Sequence, residues 1–432
     1  MDQHAANWDH CLEHAAASDV GLRRANNQDH LAVVVAGSQE AWQNRGHLFI
    51  VADGMGAHAA GELASKLAVD TVALTYSKRL DLPPAEAILA ATEDANQQIH
   101  GRGQADPEFK GMGTTSTALA LLPEGALLAH VGDSRAYRLR GDRYEQLTFD
   151  HSLVWEMRAA GQLAGQELPD YIPKNIITRS LGPSAQVEVD LEGPFPIAVG
   201  DTFLLCSDGL SGPVKDEEMG VILGSMPPSE AVRALIDLAN LRGGPDNVTV
   251  IVARVTGPQV ARDKGPRSNA SSGSASKRPV HPAIWALLGG FSLATVGLAA
   301  VNSWPAALIC LVGAIAAAAT ALAQRYGAAE PESRANQGPL GKGPYSAVTC
   351  PPNDEFVERF ARIVQELCDA AIREDWTVDW PRFNALREQA AAARQAGDLS
   401  QAVRSYLLAI SFMMGQLKQQ RPSGNEGGPL GV

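Results

Sequence analysis

Residues 47–62 read HLFIVADGMGAHAAGE, and this stretch decides the fold. From Leu48 to Ala52 it is a short uninterrupted apolar run, which predicts a strand buried on both faces. The run stops at Asp53-Gly54, and helical periodicity takes over at about 59 to 78. An aspartate at the edge of an apolar run recurs three more times. Asp133 follows LLAHVG, Asp208 follows FLLCS, and Asp246 stands just before NVTVIV. Further strand-like runs are LAVVVAG and STALALL, and helical periodicity returns near 84 to 100, 151 to 161 and 229 to 241. Strands in neighbouring groups with helices between the groups predict an α+β fold of packed antiparallel sheets flanked by helices, not a wound βαβ sheet.

Asp followed by Gly is by itself a common hairpin turn, and for any one of these sites that reading suffices. As a set, the four behave differently. Strand ends gathered at one rim would bring several carboxylates together, where they repel one another unless a cation intervenes. An all-oxygen donor set with no His or Cys cluster favours Mg2+ or Mn2+ over Zn2+. Two such ions about 3.5 to 4 Å apart can share a bridging water and aim it at a phosphorus centre. No cysteine is followed six residues later by arginine, so the thiol-phosphatase loop is absent, and GMGTTST lacks the Walker lysine.

Composition narrows the class. The 432 residues hold 36 Lys+Arg against 48 Asp+Glu, a formal net charge of -12, which disfavours a protein built to grip nucleic acid. Five cysteines without CxxC spacing indicate neither a disulfide framework nor a zinc knuckle. The amino terminus carries Asp2, Asp9, Glu13 and Asp19 and does not read as a signal peptide.

Charge also marks the domain boundaries. Between Arg278 and Arg325 lie 46 residues without a single Asp, Glu, Lys or Arg. As one helix they would be about 69 Å long, more than twice a bilayer core of ~30 Å. Two spans are expected, near 283 to 301 and 306 to 323, broken at Asn302-Ser303-Trp304-Pro305. Residues 257–282 form a Ser/Gly/Pro-rich tether with five basic residues against Asp263. With Arg325 after the second span, this places both ends on the cytoplasmic side of a bacterial inner membrane, the tether near anionic lipid. The expected organisation is a catalytic domain at 1–256, the tether at 257–282, the hairpin at 283–323, a second linker at 324–352, a small all-α module at 353–420 and a tail at 421–432. In the module, Ala393, Gly397, Ala402, Tyr406 and Ala409 resemble a tetratricopeptide-like helical hairpin open to a protein partner.

The segments GLRRANNQD, VADGMGAHAAGE, GMGTTS, HVGDSRAY, LTFDHS, NIITRSLG, LLCSDGLS and GGPDNVTVIV occur in this order. Together they closely resemble the bacterial form of the PPM family of metal-dependent Ser/Thr protein phosphatases, over roughly residues 8 to 256. The resemblance implies an αββα sandwich with two metal ions, Mg2+ or Mn2+, and a weaker third site in a cleft at one end. It makes Asp53 the bridging ligand, with the Gly54 carbonyl beside it. Asp208 and Asp246 would hold the second ion, and Asp133, with Asp208, the third. Arg24 matches the phosphate-binding arginine and Asp29 a carboxylate that orients the attacking water. Met55 stands where many members carry a histidine that protonates the leaving group, and residues 152–178 occupy the place of a mobile flap. The implied function is hydrolysis of phosphoserine and phosphothreonine on proteins, opposing Ser/Thr kinases. A silent scaffold of the same fold, and a hydrolase of small-molecule phosphates, are the alternatives.

Overall fold

The computed structural model describes residues 11–57, 59–162, 176–258 and 340–420, together with scattered single positions elsewhere. The elements run β1 (Leu12–Asp19), β2 (Asp29–Val34), α1 (Gln39–Arg45), β3 (His47–Met55), α2 (Ala60–Lys78), α3 (Pro84–Ala105), β4 (Gly113–Thr114), β5 (Ser116–Leu122), β6 (Gly125–Val131), β7 (Arg135–Arg140) and β8 (Arg143–Gln146). They continue with α4 (Leu153–Ala159), β9 (Asp190–Phe195), β10 (Thr202–Cys206), α5 (Asp208–Ser211), α6 (Asp216–Ser225), α7 (Pro228–Leu241), β11 (Val248–Val255) and β12 (Ser346–Thr349). Three helices follow: α8 (Asp354–Arg373), α9 (Trp380–Gln395) and α10 (Leu399–Gln420).

One antiparallel sheet has the order β1-β11-β10-β7-β8-β12, and the other β2-β3-β5-β6-β9 with β4 paired to β3. The central strand β3 shows why its sequence is apolar on both faces. Leu48, Ile50 and Ala52 pack with residues of α2 and α3, including Ala64, Ala68 and Ile88. Phe49 and Val51, pointing the other way, pack with Phe203, Leu205 and Ile251 of the facing sheet. The layers are helices, sheet, sheet, helices, as expected for an α+β sandwich.

Sequence periodicity misses β1. After Leu12 its residues EHAAASD are polar or small, and only pairing along the whole of β11, from Leu12 opposite Val255 to Asp19 opposite Val248, makes them a strand.

The carboxy-terminal part departs from the expected plan. Residues 324–352 do not act wholly as a linker, because Ser346–Thr349 add β12 to the edge of the first sheet beside β8. Glu192 of β9 takes the Gly343 amide at 2.9 Å and the Tyr345 hydroxyl, which ties the approach to β12 to the second sheet. Nor is 353–420 a separate module. Phe360, Phe383, Leu407 and Met413 share one core with Ile222, Leu235 and Val250, and Arg404 of α10 meets both carboxylate oxygens of Glu230 at 2.7 Å. Residues 1–263 and 339–432 make one compact unit. The physical reason is α7, which is buried at Ala231, Val232, Leu235, Ile236 and Leu238. A helix apolar on more than one side needs cover on more than one side. The apolar face of α10 supplies it, and α8 packs against α10 in the same core, so these helices are joined to the sheet-bearing part of the chain.

The helix pattern expected in this region is present in detail. Gly397 adopts φ 78° to end α9, and Asp398 accepts from the Gln401 amide at 2.9 Å to start α10. The two expected membrane spans fall mostly outside the described residues, and among those described no helix is long and apolar enough to cross a membrane.

Candidate active site

Residues on five segments converge at one end of the sandwich. Asp29 at the start of β2 and Asp53 near the end of β3 are direct cross-strand partners. Asp133 lies between β6 and β7, Asp208 begins α5 after β10, and Asp246 precedes β11. Burial pushes the Asp53 carboxyl well above its ordinary value, and repulsion from Asp29, Asp208, Asp133 and Asp246 adds to this. Burial likewise pushes Asp29 up to about 7, with Asp208 and Asp246 contributing against an opposing hydrogen bond from Ser207. Asp133 also rises to about 7 through burial, then Asp208 and Asp150. The four strand-edge aspartates and Asp29 therefore form one electrostatic group.

The backbone around them is tightly held. The Thr115 hydroxyl accepts from the Asp53 amide at 2.8 Å and lies 2.7 Å from the Ser134 hydroxyl, which joins the Asp53 and Asp133 segments. The Asp53 carbonyl accepts from the Thr114 hydroxyl at 2.8 Å. A Cβ on Gly54 would fall 2.1 Å from the Gly61 carbonyl oxygen, so only glycine permits this close approach of α2 to the rim. Ser207 donates to Asp29 Oδ2 at 2.8 Å. Asn247 gives its side-chain N–H groups to the Val20 and Asn26 carbonyls at 2.9 and 3.0 Å, and its Oδ1 accepts from the Gln28 amide. Arg24 reaches Asp246 at 2.6 Å with both side chains partly open to solvent.

Sequence reading left Ser207 and Asn247 without a role. The work of Asn247, clamping the Arg24 segment to the Asp246 loop, depends on contacts more than 200 positions apart. Thr114 and Thr115, in the GMGTTST segment, support the cleft through the Asp53 backbone. Residues 163–172, 174 and 175 of the expected flap lie outside the described residues.

The donor set is suited to a hard divalent cation. Asp29 Oδ1, Asp133 Oδ1 and Asp208 Oδ1 are buried without a hydrogen-bond partner, an arrangement that is costly unless a cation uses it. Among the described residues no three His, Cys, Asp or Glu side chains close to ligating distance on their own. Mutual repulsion keeps like charges from closing. The partnerless buried oxygens are the atoms that the fold has desolvated and left available.

A family model described as Protein phosphatase 2C matches residues 23–237. The protein phosphatase PhpP of Streptococcus pneumoniae is 38% identical over 243 residues, which are 55% of this chain and 96% of that relative. The chain belongs to the protein phosphatase 2C family. Among solved structures, the Mycobacterium tuberculosis Ser/Thr phosphatase PstP/Ppp matches with a TM-score of 0.51 and 38% identity, covering 57% of this chain and all of that one. The Staphylococcus aureus Ser/Thr phosphatase Stp1 matches with a TM-score of 0.50 and 33% identity over 57% of this chain and 96% of its own. This phosphatase 2C member is thus an enzyme of the protein-serine/threonine phosphatase class, for which Mg2+ or Mn2+ is the cofactor. PhpP is matched almost end to end by little more than half of the chain, whereas the full-length Mycobacterium tuberculosis phosphatase PstP, 39% identical over 247 residues, is matched over 45% of its length.

Proposed function

We propose that this phosphatase 2C member is tethered to the bacterial cytoplasmic membrane and removes phosphate from phosphoserine and phosphothreonine on proteins, opposing Ser/Thr kinases. The observation that carries the catalytic part is the rim of buried carboxylates with three partnerless oxygens beside Arg24. Asp53 and the Gly54 carbonyl, with Asp208 and Asp246, would hold two ions, and Asp133 with Asp208 a third. When bound, the ions supply positive charge and a lowered pKa for water at the rim. Arg24 would take two oxygens of the substrate phosphate with its planar fork. Asp29, held by Ser207, would orient the attacking water. Met55 has no proton to give, so the leaving alkoxide takes its proton from solvent or another group.

The sheet pairing supports an even number of membrane crossings. Residues before 264 and after 338 belong to the same compact unit, and β12 pairs with β8 across the uncharged segment. An odd number of spans would put two strands of one sheet on opposite sides of a bilayer. A tether of this kind raises the effective concentration of the enzyme toward membrane-bound phosphoproteins without any new contact at the site.

The catalytic reading is tested on the full chain in detergent with a phosphothreonine peptide, with and without Mn2+, beside Asp53→Ala and Asp208→Ala. Mn2+-stimulated turnover that both substitutions abolish is expected. Turnover indifferent to both would remove the site assignment, and no metal-stimulated turnover on any phosphopeptide would favour the scaffold. Reporter fusions at the two termini check the tether, and an external carboxy terminus would sink the two-span topology.

A further inference from the structure

Helix α10 lies outside the segment matched by the family, yet its last turn touches the turn that leads to Arg24. Lys418 Nζ lies 2.8 Å from Asp19 Oδ2 and 3.8 Å from Asp237 Oδ1 of α7. The other oxygen of Asp19 accepts from the Gly21 amide and from Asn240 Nδ2, both at 3.0 Å. Burial alone would raise the Asp19 carboxyl, but the hydrogen bonds from Lys418, Asn240 and Gly21 outweigh it and hold it below its ordinary value. The end of α10 is itself anchored, because Gln420 exchanges hydrogen bonds with the Thr377 amide and carbonyl.

From Asp19 the chain passes directly to the rim. Gly21, at φ 78°, sits so close to the Asp246 carbonyl oxygen that a Cβ would fall 2.2 Å from it. The Leu22 and Arg23 amides both donate to the Gly244 carbonyl, at 2.9 and 3.2 Å. The Asp19 turn and the Gly243–Asp246 loop therefore move together, and they carry Arg24 and Asp246.

We infer that Lys418 is a positioning residue for the phosphate-binding turn: by pinning Asp19 it lets the carboxy-terminal helix set the placement of Arg24 against the rim. The inference rests on the phosphatase reading of the site for its kinetic consequence, but not for its structural one. A relative such as PhpP, of which 96% is matched by 55% of this chain, has almost no length left to hold an equivalent of α10.

The test uses the full chain in detergent and the variants Lys418→Ala and Lys418→Arg. As a control, Arg394→Ala breaks another ion pair of the same helical layer, with Glu358. Amide hydrogen exchange reads the turn directly. Lys418→Ala is expected to speed exchange at Leu22 and Arg23, and Arg394→Ala to leave it unchanged. A half-open ion pair sets the scale of the kinetic effect, so KM for a phosphothreonine peptide and the inhibition constant for orthophosphate should both rise about two- to fivefold, with kcat changed less. Lys418→Arg should restore all three readouts. Unchanged exchange at Leu22 and Arg23 overturns the inference. So does an unchanged orthophosphate constant in an enzyme whose wild type shows Mn2+-stimulated turnover, or a failure of Lys418→Arg to restore. If the wild type itself shows no such turnover, the functional reading falls instead, and the exchange data alone decide the positioning role.

Discussion

At the cleft rim Asp29, Asp133 and Asp208 each keep a buried carboxylate oxygen without a partner, whereas in the carboxy-terminal helices Arg404 meets Glu230 twice at 2.7 Å and Arg394 meets Glu358 at 2.7 Å. Both regions are rich in charge, and they use it in opposite ways. The helices pair their charges at the surface and bury mainly apolar groups beneath, with Ser405 and Ser411 among the few polar ones, so they add stability. The rim desolvates like charges side by side, which costs stability and prepares a cation-binding, water-activating site. The difference separates activity from stability residue by residue.

The sharpest way to break that contrast is Asp208→Asn. Removing this charge should lower kcat/KM on a phosphothreonine peptide on the order of a thousandfold, the scale of losing a group that stabilises developing charge. The same substitution should raise Tm in EDTA, because burial and Asp246 both push the native carboxyl up. A lower Tm in EDTA would show that the rim is not the strained region.

Phe360→Ala asks the opposite of the helical layer. Phe360 is fully buried in the core shared by α8, α10 and α7, so truncation should cost about 3–5 kcal/mol in denaturant unfolding. Below the unfolding transition, kcat should stay near the wild-type value, since Phe360 lies in the packing and not at the rim. A large loss of kcat in still-folded protein would show that the buried packing of these helices, and not only the Lys418–Asp19 contact, reaches the rim.

The smallest expected effect is on pH. His130, on β6 next to the Asp133 segment, is fully buried, and burial followed by repulsion from His151 pushes it down to about 3. Its Nε2 donates to the Phe149 carbonyl at 2.9 Å, which favours the charged ring, but burial outweighs this and keeps the native ring neutral. The unfolded chain binds a proton on this histidine below about 6.5, which the native state refuses until about 3. Its contribution is therefore complete above pH 6.5 and is lost as the pH falls through that window. Tm measured from pH 7 to 4 should drop, and His130→Gln should flatten part of the slope. An unchanged slope would mean that the acid sensitivity resides elsewhere.

Much of the site was legible from spacing alone. Each of Asp53, Asp133, Asp208 and Asp246 ends or begins an apolar run, and a strand must surface where its burial stops, so the four were bound to reach a sheet edge. Asn247 and Ser207 were not legible in that way. Their hydrogen bonds reach Val20, Asn26 and Asp29 across very long separations, and no local pattern marks an asparagine or a serine for that work. The strand β1 was hidden for a related reason, since its small and polar residues take strand form from β11 and not from their own preference.

By itself the sequence determined the paired-sheet core, the aspartates at strand edges, the helical character of 353–420 and the uncharged stretch between Arg278 and Arg325. These depend on periodicity, on charge and on turn chemistry, all of which act over a few residues. Tertiary structure alone decided that β12 joins the sheet beyond β8, that α10 covers α7 with α8 and α9 packed on it, and that Lys418 comes to rest on Asp19. Which apolar face finds which partner depends on the surface left open once the sheets have closed, and that surface exists only in three dimensions.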